Sequence, residues 1–180
     1  MPPAEHALLS ASSAYRWLVC TAAPRFEEQF PSGTSEYAEE GTLAHELCEL
    51  RCNKQFKGLD DKIYAEKLTK IQQDPRYEPE MMTTSQAYVD YLLEKAHTYD
   101  SMPYMAFEVR VDLTEVIPEG FGTCDAVMIG GDTLHITDYK HGRGVPVSAV
   151  GNPQMRLYAL GALKKYAKGD WGIGPNKRTP

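Results

Sequence analysis

The chain has 180 residues, 42% apolar and 24% charged, a globular composition long enough for one domain with a sizeable core and short for two. No stretch approaches the roughly 20 consecutive apolar residues of a membrane span, and the first residues lack the basic start and apolar block of a secretory signal, so no membrane partner and a cytoplasmic location are expected. The net charge of −6 argues against nucleic-acid binding by bulk phosphate neutralisation, yet eight basic residues against one acid from Lys140 onward leave that segment at +7 and the first 139 residues at −13.

Ser10, Ser12 or Ser13 can cap a short helix through Arg16, Trp17 and Leu18, and 21–33 reads as loop. Leu43, Leu47 and Leu50 recur at helical spacing and predict a long helix over about 35–55, with Gly41, His45, Cys48 and Cys52 grouped on nearly the opposite side. A polar helix over about 60–73 precedes Asp74-Pro75 and Glu78-Pro79, and a further helix spans about 84–98. Met105, Phe107, Val109 and Val111 then alternate with Ala106, Glu108, Arg110 and Asp112, which is the period of a strand. Two more strands, 121–129 and 133–140, are joined around Gly130-Gly131-Asp132 as a hairpin. Asn152-Pro153 is a favourable cap and first position for a helix to about 167. The chain therefore reads as a single domain over 1–168 with a Gly- and Pro-rich tail, 169–180, that is truncated or disordered. Cys20, Cys48, Cys52 and Cys124 form no pair of closely spaced knuckles and are expected as reduced thiols.

The hairpin carries the chemistry. With a two-residue turn at Gly131-Asp132, paired positions sum to 263, so Ile129 faces Leu134, Val127 faces Ile136, Asp125 faces Asp138 and Thr123 faces Lys140. Two opposed carboxylates repel unless a cation lies between them, and hard oxygen ligands with open positions suit Mg²⁺ or Mn²⁺ in a phosphodiesterase site. Lys140 on the same face can orient or deprotonate water and stabilise charge on a phosphate. The alternative is a three-residue loop that separates the acids and leaves them as exposed strand positions.

Asp125, then Asp138-Tyr139-Lys140 after a hairpin, then Gln154-Met155-Arg156-Leu157-Tyr158 on the next helix resembles the PD-(D/E)XK nuclease superfamily, in its RecB-like exonuclease branch with a QxxxY motif. Gly41-Thr42-Leu43-Ala44-His45 resembles the helical histidine motif of that branch. Through Ser12-Ser13-Ala14-Tyr15-Arg16-Trp17-Leu18-Val19-Cys20, Glu40-Gly41-Thr42 and Gly120-Phe121-Gly122-Thr123-Cys124-Asp125 the chain also resembles, more closely still, a family of phage and prophage exonucleases, over roughly residues 8–166.

The resemblance implies a mixed α+β fold, a restriction-endonuclease-like αβββα core around a central mixed sheet, with extra N-terminal helices. It implies a metal-dependent deoxyribonuclease acting on single- or double-stranded DNA in replication, recombination or processing within a bacterial host. Asp125, Asp138 and His45 would ligate Mg²⁺ or Mn²⁺, the imidazole favouring manganese, and Lys140 would be the catalytic lysine. Glu108, Gln154, Tyr158 and Arg16 would support the metal or contact DNA. Cys20 stands where relatives begin an iron-sulfur cluster, but no cysteine follows Cys124, so a complete cluster of that type is not expected. Loss of the final strand would expose a sheet edge, which a second copy or a recombination partner would cover. The alternatives are a catalytically silent nucleic-acid-binding domain of the same fold, and a metal-binding structural module using His45, Cys48 and Cys52.

Overall fold

The computed structural model describes residues 7–30, 36–142 and 147–167; the tail over 169–180 and, from the basic segment, Arg143, Lys168, Lys177 and Arg178 lie outside them. The fold is mixed α+β. Among the described residues a short 3-10 helix, Ala11–Ser13, and six α-helices, α1 Ala14–Trp17, α2 Ala23–Glu27, α3 Glu36–Lys57, α4 Asp61–Gln72, α5 Glu80–Ala96 and α6 Pro153–Tyr166, accompany three strands, β1 Tyr104–Asp112, β2 Phe121–Gly130 and β3 Thr133–Thr137. The strands form one antiparallel sheet in the order β1-β2-β3. The mixed sheet implied by the resemblance needs a parallel strand, and none is present among the described residues. No helix among them is long and apolar enough to cross a membrane.

Two compact units divide the chain. One, 32–108 with 125–146, is organised by α3, which packs against both α4 and α5. Leu43, Leu47 and Leu50 are buried on one side of α3 and Cys48 and Cys52 on the other, joining Met81, Leu92, Met105, Ala126, Met128 and Tyr139 in one core. Each large apolar side chain so buried contributes about 1.5–3 kcal/mol. The Asp60 carboxylate caps α4 by accepting the N–H groups of Lys62 and Ile63. Helix α5 starts four residues ahead of the sequence expectation, directly after Pro79, because proline has no N–H to lose at a helix entrance and already holds a helical φ.

The other unit, 1–31, 109–124 and 147–180, contains α1, α2, α6 and the adjoining ends of β1 and β2. Helix α2 lies in the segment expected to be loop, with Pro24 acting as a first-turn residue rather than a breaker. The Asn152 side chain accepts the N–H groups of Gln154 and Met155 and starts α6 as expected. Gly161 lets α6 lie directly on the strand, since a Cβ there would stand 2.7 Å from Val111 Cβ.

The hairpin has the expected register, Ala126 opposite Thr137 through Gly130 opposite Thr133, with Gly131 at φ +54 in the turn. Strand β3, however, ends at Thr137 rather than Lys140. The physical reason lies one residue past the ladder. The Tyr139 N–H, which would continue the strand pairing, is taken instead by a side-chain oxygen of Asp125.

Candidate metal centre

Three elements converge on one cleft of the first unit. Asp125 sits on β2 just before the paired residues, His45 on α3, and Glu108 within β1. One ligand atom from each of His45, Glu108 and Asp125 lies within 4.8 Å of the other two. Asp125 divides its carboxylate: Oδ2 accepts the Tyr139 N–H at 2.5 Å, and Oδ1 stands 3.4 Å from His45 Nδ1. Glu108 adopts φ +48, left-handed backbone that non-glycine residues seldom take and that tends to collect at functional sites. Cys48, Glu49, Cys52, Tyr88 and Tyr139 complete the cleft wall.

The charges in this cleft are frustrated. Burial is the largest influence on His45 and disfavours its protonation, but the hydrogen bond and charge of Asp125, with the charge of Glu108, outweigh it and raise its pKa. Burial, and then the Asp125 charge, push the Glu108 carboxyl up to about 7, although the residue as a whole is exposed. Burial likewise raises Asp138, with the Asp125 charge adding to it and the Lys140 hydrogen bond opposing it. Carboxyl groups that resist ionisation beside one another are what a bound cation relieves. One imidazole nitrogen and two carboxylates form a donor set that could hold a metal ion.

The Asp138 and Lys140 side chains pair at 2.6 Å, with Asp138 11% and Lys140 50% exposed. Asp138 is thus close enough to Asp125 and His45 to feel their charges, while the donor set within 4.8 Å contains Glu108 in its place. Cys48 and Cys52 line the cleft but are not in that set. Hydrogen bonding to Cys52, then burial, hold the Cys48 thiol well above its usual range, so it is a protonated core residue.

The remaining residues singled out from sequence belong to the other unit. Gln154 Nε2 donates to the Tyr158 hydroxyl at 3.0 Å across one turn of α6, as their spacing predicts. Tyr158 is buried, and its ring packs so near β2 that a Cβ on Gly122 would stand 2.6 Å from it. Arg16 pairs with Glu27 at 2.6 Å beside the Tyr15 ring. Trp17 is tied through Nε1–H to the Ser10 carbonyl, and Cys20 is an exposed free thiol.

Sequence reasoning missed Glu49, which lines the cleft, and a second polar group built from Glu40, Thr84, Tyr139 and His141. The available signal was parity: His141 is two residues beyond the buried Tyr139 and therefore shares its side of an extended chain. A groove of about 230 Å³ between α3 and α4, lined by Glu46, Asn53, Lys57 and Lys67 among others, is roomier than the cleft but lacks a comparable convergence of ligands.

The model of a family described as a protein of unknown function, DUF2800, matches residues 6–168. No solved structure matches the chain at a significant level.

Proposed function

The chain belongs to the DUF2800 family, and we propose that this member is a divalent-metal-dependent deoxyribonuclease of the PD-(D/E)XK type, acting as an exonuclease on phage or prophage DNA. The observation that carries the reading is the convergence of His45, Glu108 and Asp125 within 4.8 Å of one another, in a cleft with the Asp138–Lys140 pair electrostatically coupled to it. Their order along the chain, with Gln154 and Tyr158 on the following helix, supports the same reading, as does a hairpin followed by a helix in an α+β fold.

His45, Glu108 and Asp125 are the residues that would hold Mn²⁺ or Mg²⁺. Bound there, such an ion would acidify a water and offset phosphate charge. Lys140 orients the attacking water and donates hydrogen bonds to the phosphate oxygens as negative charge develops on them. Asp138 holds the ammonium in place between turnovers. Water adds to phosphorus, the bond to one sugar oxygen breaks, and that oxygen leaves with a proton.

The test is digestion of end-labelled single- and double-stranded DNA with Mn²⁺, Mg²⁺ or EDTA, beside a circular substrate. Cleavage of linear but not circular DNA, abolished by EDTA and reduced about 10²–10⁴-fold in Lys140→Ala, is the expected result. Cleavage that survives chelation or the Lys140 substitution overturns the mechanism. Wild-type binding of DNA without cleavage under every metal condition overturns the enzyme reading in favour of a non-catalytic nucleic-acid-binding domain.

A further inference from the structure

We infer that His141, through Thr84 and Glu40, is a positioning residue that clamps the Asp138–Lys140 segment against the two helices behind it; its catalytic consequence rests on the nuclease reading above. The segment needs such a clamp because it has left the sheet. Strand pairing stops at Thr137, and beyond it no ladder fixes the backbone. Asp125 secures the Tyr139 N–H, but that is a single backbone bond.

Side chains secure the rest. The Tyr139 hydroxyl lies 2.7 Å from Thr84 Oγ1 on α5, and His141 Nδ1 lies 2.9 Å from the same oxygen. His141 Nε2 stands 3.6 Å from a carboxylate oxygen of Glu40 on α3. The imidazole is almost completely enclosed, with 2% of its side chain exposed. One proton arrangement satisfies these groups in sequence: Tyr139 O–H donates to Thr84, Thr84 O–H donates to His141 Nδ1, and His141 Nε2–H faces Glu40.

The geometry has a consequence for Lys140. Tyr139 and His141 point the same way, their rings stacked with centroids 6.3 Å apart. Lys140 lies between them in an extended chain, so it projects to the opposite side, where it meets Asp138. Because Glu40 and His45 share α3, the same clamp also fixes the segment relative to the helix that carries the candidate ligand. A linked polar network of this kind is suited to the role, since a small displacement of a reacting group, of the order of 1 Å, costs about 10²-fold in rate.

The experiment compares His141→Ala, the near-isosteric Thr84→Val and the conservative His141→Asn, whose side-chain oxygen keeps an acceptor for Thr84. Amide hydrogen exchange by NMR reads the clamp without any need for cleavage. Exchange of the Tyr139 amide, which the Asp125 carboxylate protects, is expected to accelerate at least about tenfold in the first two variants, with Leu92 and Met128 unchanged, and to be largely restored in His141→Asn. With wild-type nuclease in hand, kcat is expected to fall about 10–100-fold in the same two variants, while KM for DNA and the Mn²⁺ dissociation constant stay within about twofold. Unchanged exchange at Tyr139, acceleration spread evenly over the core, or local acceleration with unaltered kcat each overturns the inference. If wild-type protein cleaves nothing yet shows the local exchange pattern, the nuclease reading falls and the clamp stands.

Discussion

Asp125 replaces a strand partner for Tyr139: its Oδ2 accepts the Tyr139 N–H at 2.5 Å, just where pairing between β2 and β3 has stopped. The same carboxylate faces His45 with its other oxygen, so one residue serves both the fold and the candidate metal. The two duties separate by substitution. Asp125→Asn keeps a neutral acceptor for Tyr139 and is expected to lose about 1 kcal/mol or less, whereas Asp125→Ala leaves the N–H unpaired and loses about 1.5–3 kcal/mol. Both are expected to weaken Mn²⁺ binding at least about tenfold. Urea unfolding and Mn²⁺ titration by electron paramagnetic resonance check the two halves; equal stability of the two variants would contradict the assigned bond.

Much of this arrangement was legible from the residue order. The two-residue turn at Gly131-Asp132 determines the hairpin register, and leucines at i, i+4 and i+7 determine the buried face of α3. What escaped was set by contacts distant in sequence. The end of β3 depends on a carboxylate 14 residues away, and the His141–Thr84 contact joins positions 57 apart with no motif at either. The left-handed backbone of Glu108 opposes its local pattern, since an alternating strand predicts extended geometry throughout. Helix α2 was hidden because Pro24 marks both a break and a helix start.

The turn between α4 and α5 supplies a pH test remote from the metal centre. Arg76 donates to the Asp74 carboxylate through its side chain, at 2.7 and 2.8 Å, and through its backbone N–H, and reaches Glu39 on α3 with another nitrogen. The Arg76 side-chain bonds, with its backbone bond second, hold Asp74 down to about 2. A carboxyl depressed in the folded state stabilises above its unfolded pKa, ~3.9, and that contribution disappears as pH falls through the folded value. Asp74→Asn is therefore expected to melt slightly below wild type at pH 7. The gap in Tm should close between about pH 4 and pH 2, and a gap unchanged at pH 2 would refute the linkage.

Gly122 on β2 packs closely against Tyr158 on α6. A Cβ at Gly122 would meet the Tyr158 ring at 2.6 Å and Ala11 Cβ at 3.2 Å. Gly122→Ala is expected to cost about 1–3 kcal/mol by overpacking. Combining it with Tyr158→Ala, which removes the obstructing ring, should give less destabilisation than the two single changes added together. Strict additivity in urea unfolding would show that the ring is not what the added methyl meets.

Glu108 brings stability and proposed function into opposition. It combines φ +48, strained for any residue with a side chain of its size, with a carboxyl crowded by burial and by Asp125. Asparagine tolerates left-handed backbone better and carries no charge. Glu108→Asn is therefore expected to raise metal-free stability by roughly 1 kcal/mol, at the low end of what such strain costs, while weakening Mn²⁺ binding at least about tenfold. The order then reverses on adding metal. Wild type at 100 times its dissociation constant gains about 2.7 kcal/mol from the bound ion, and the variant at the same concentration gains less. Scanning calorimetry with and without Mn²⁺ checks the crossover. A variant less stable than wild type without metal would mean that Glu108 supports the fold, and equal stabilisation by Mn²⁺ would remove it from the ligand set.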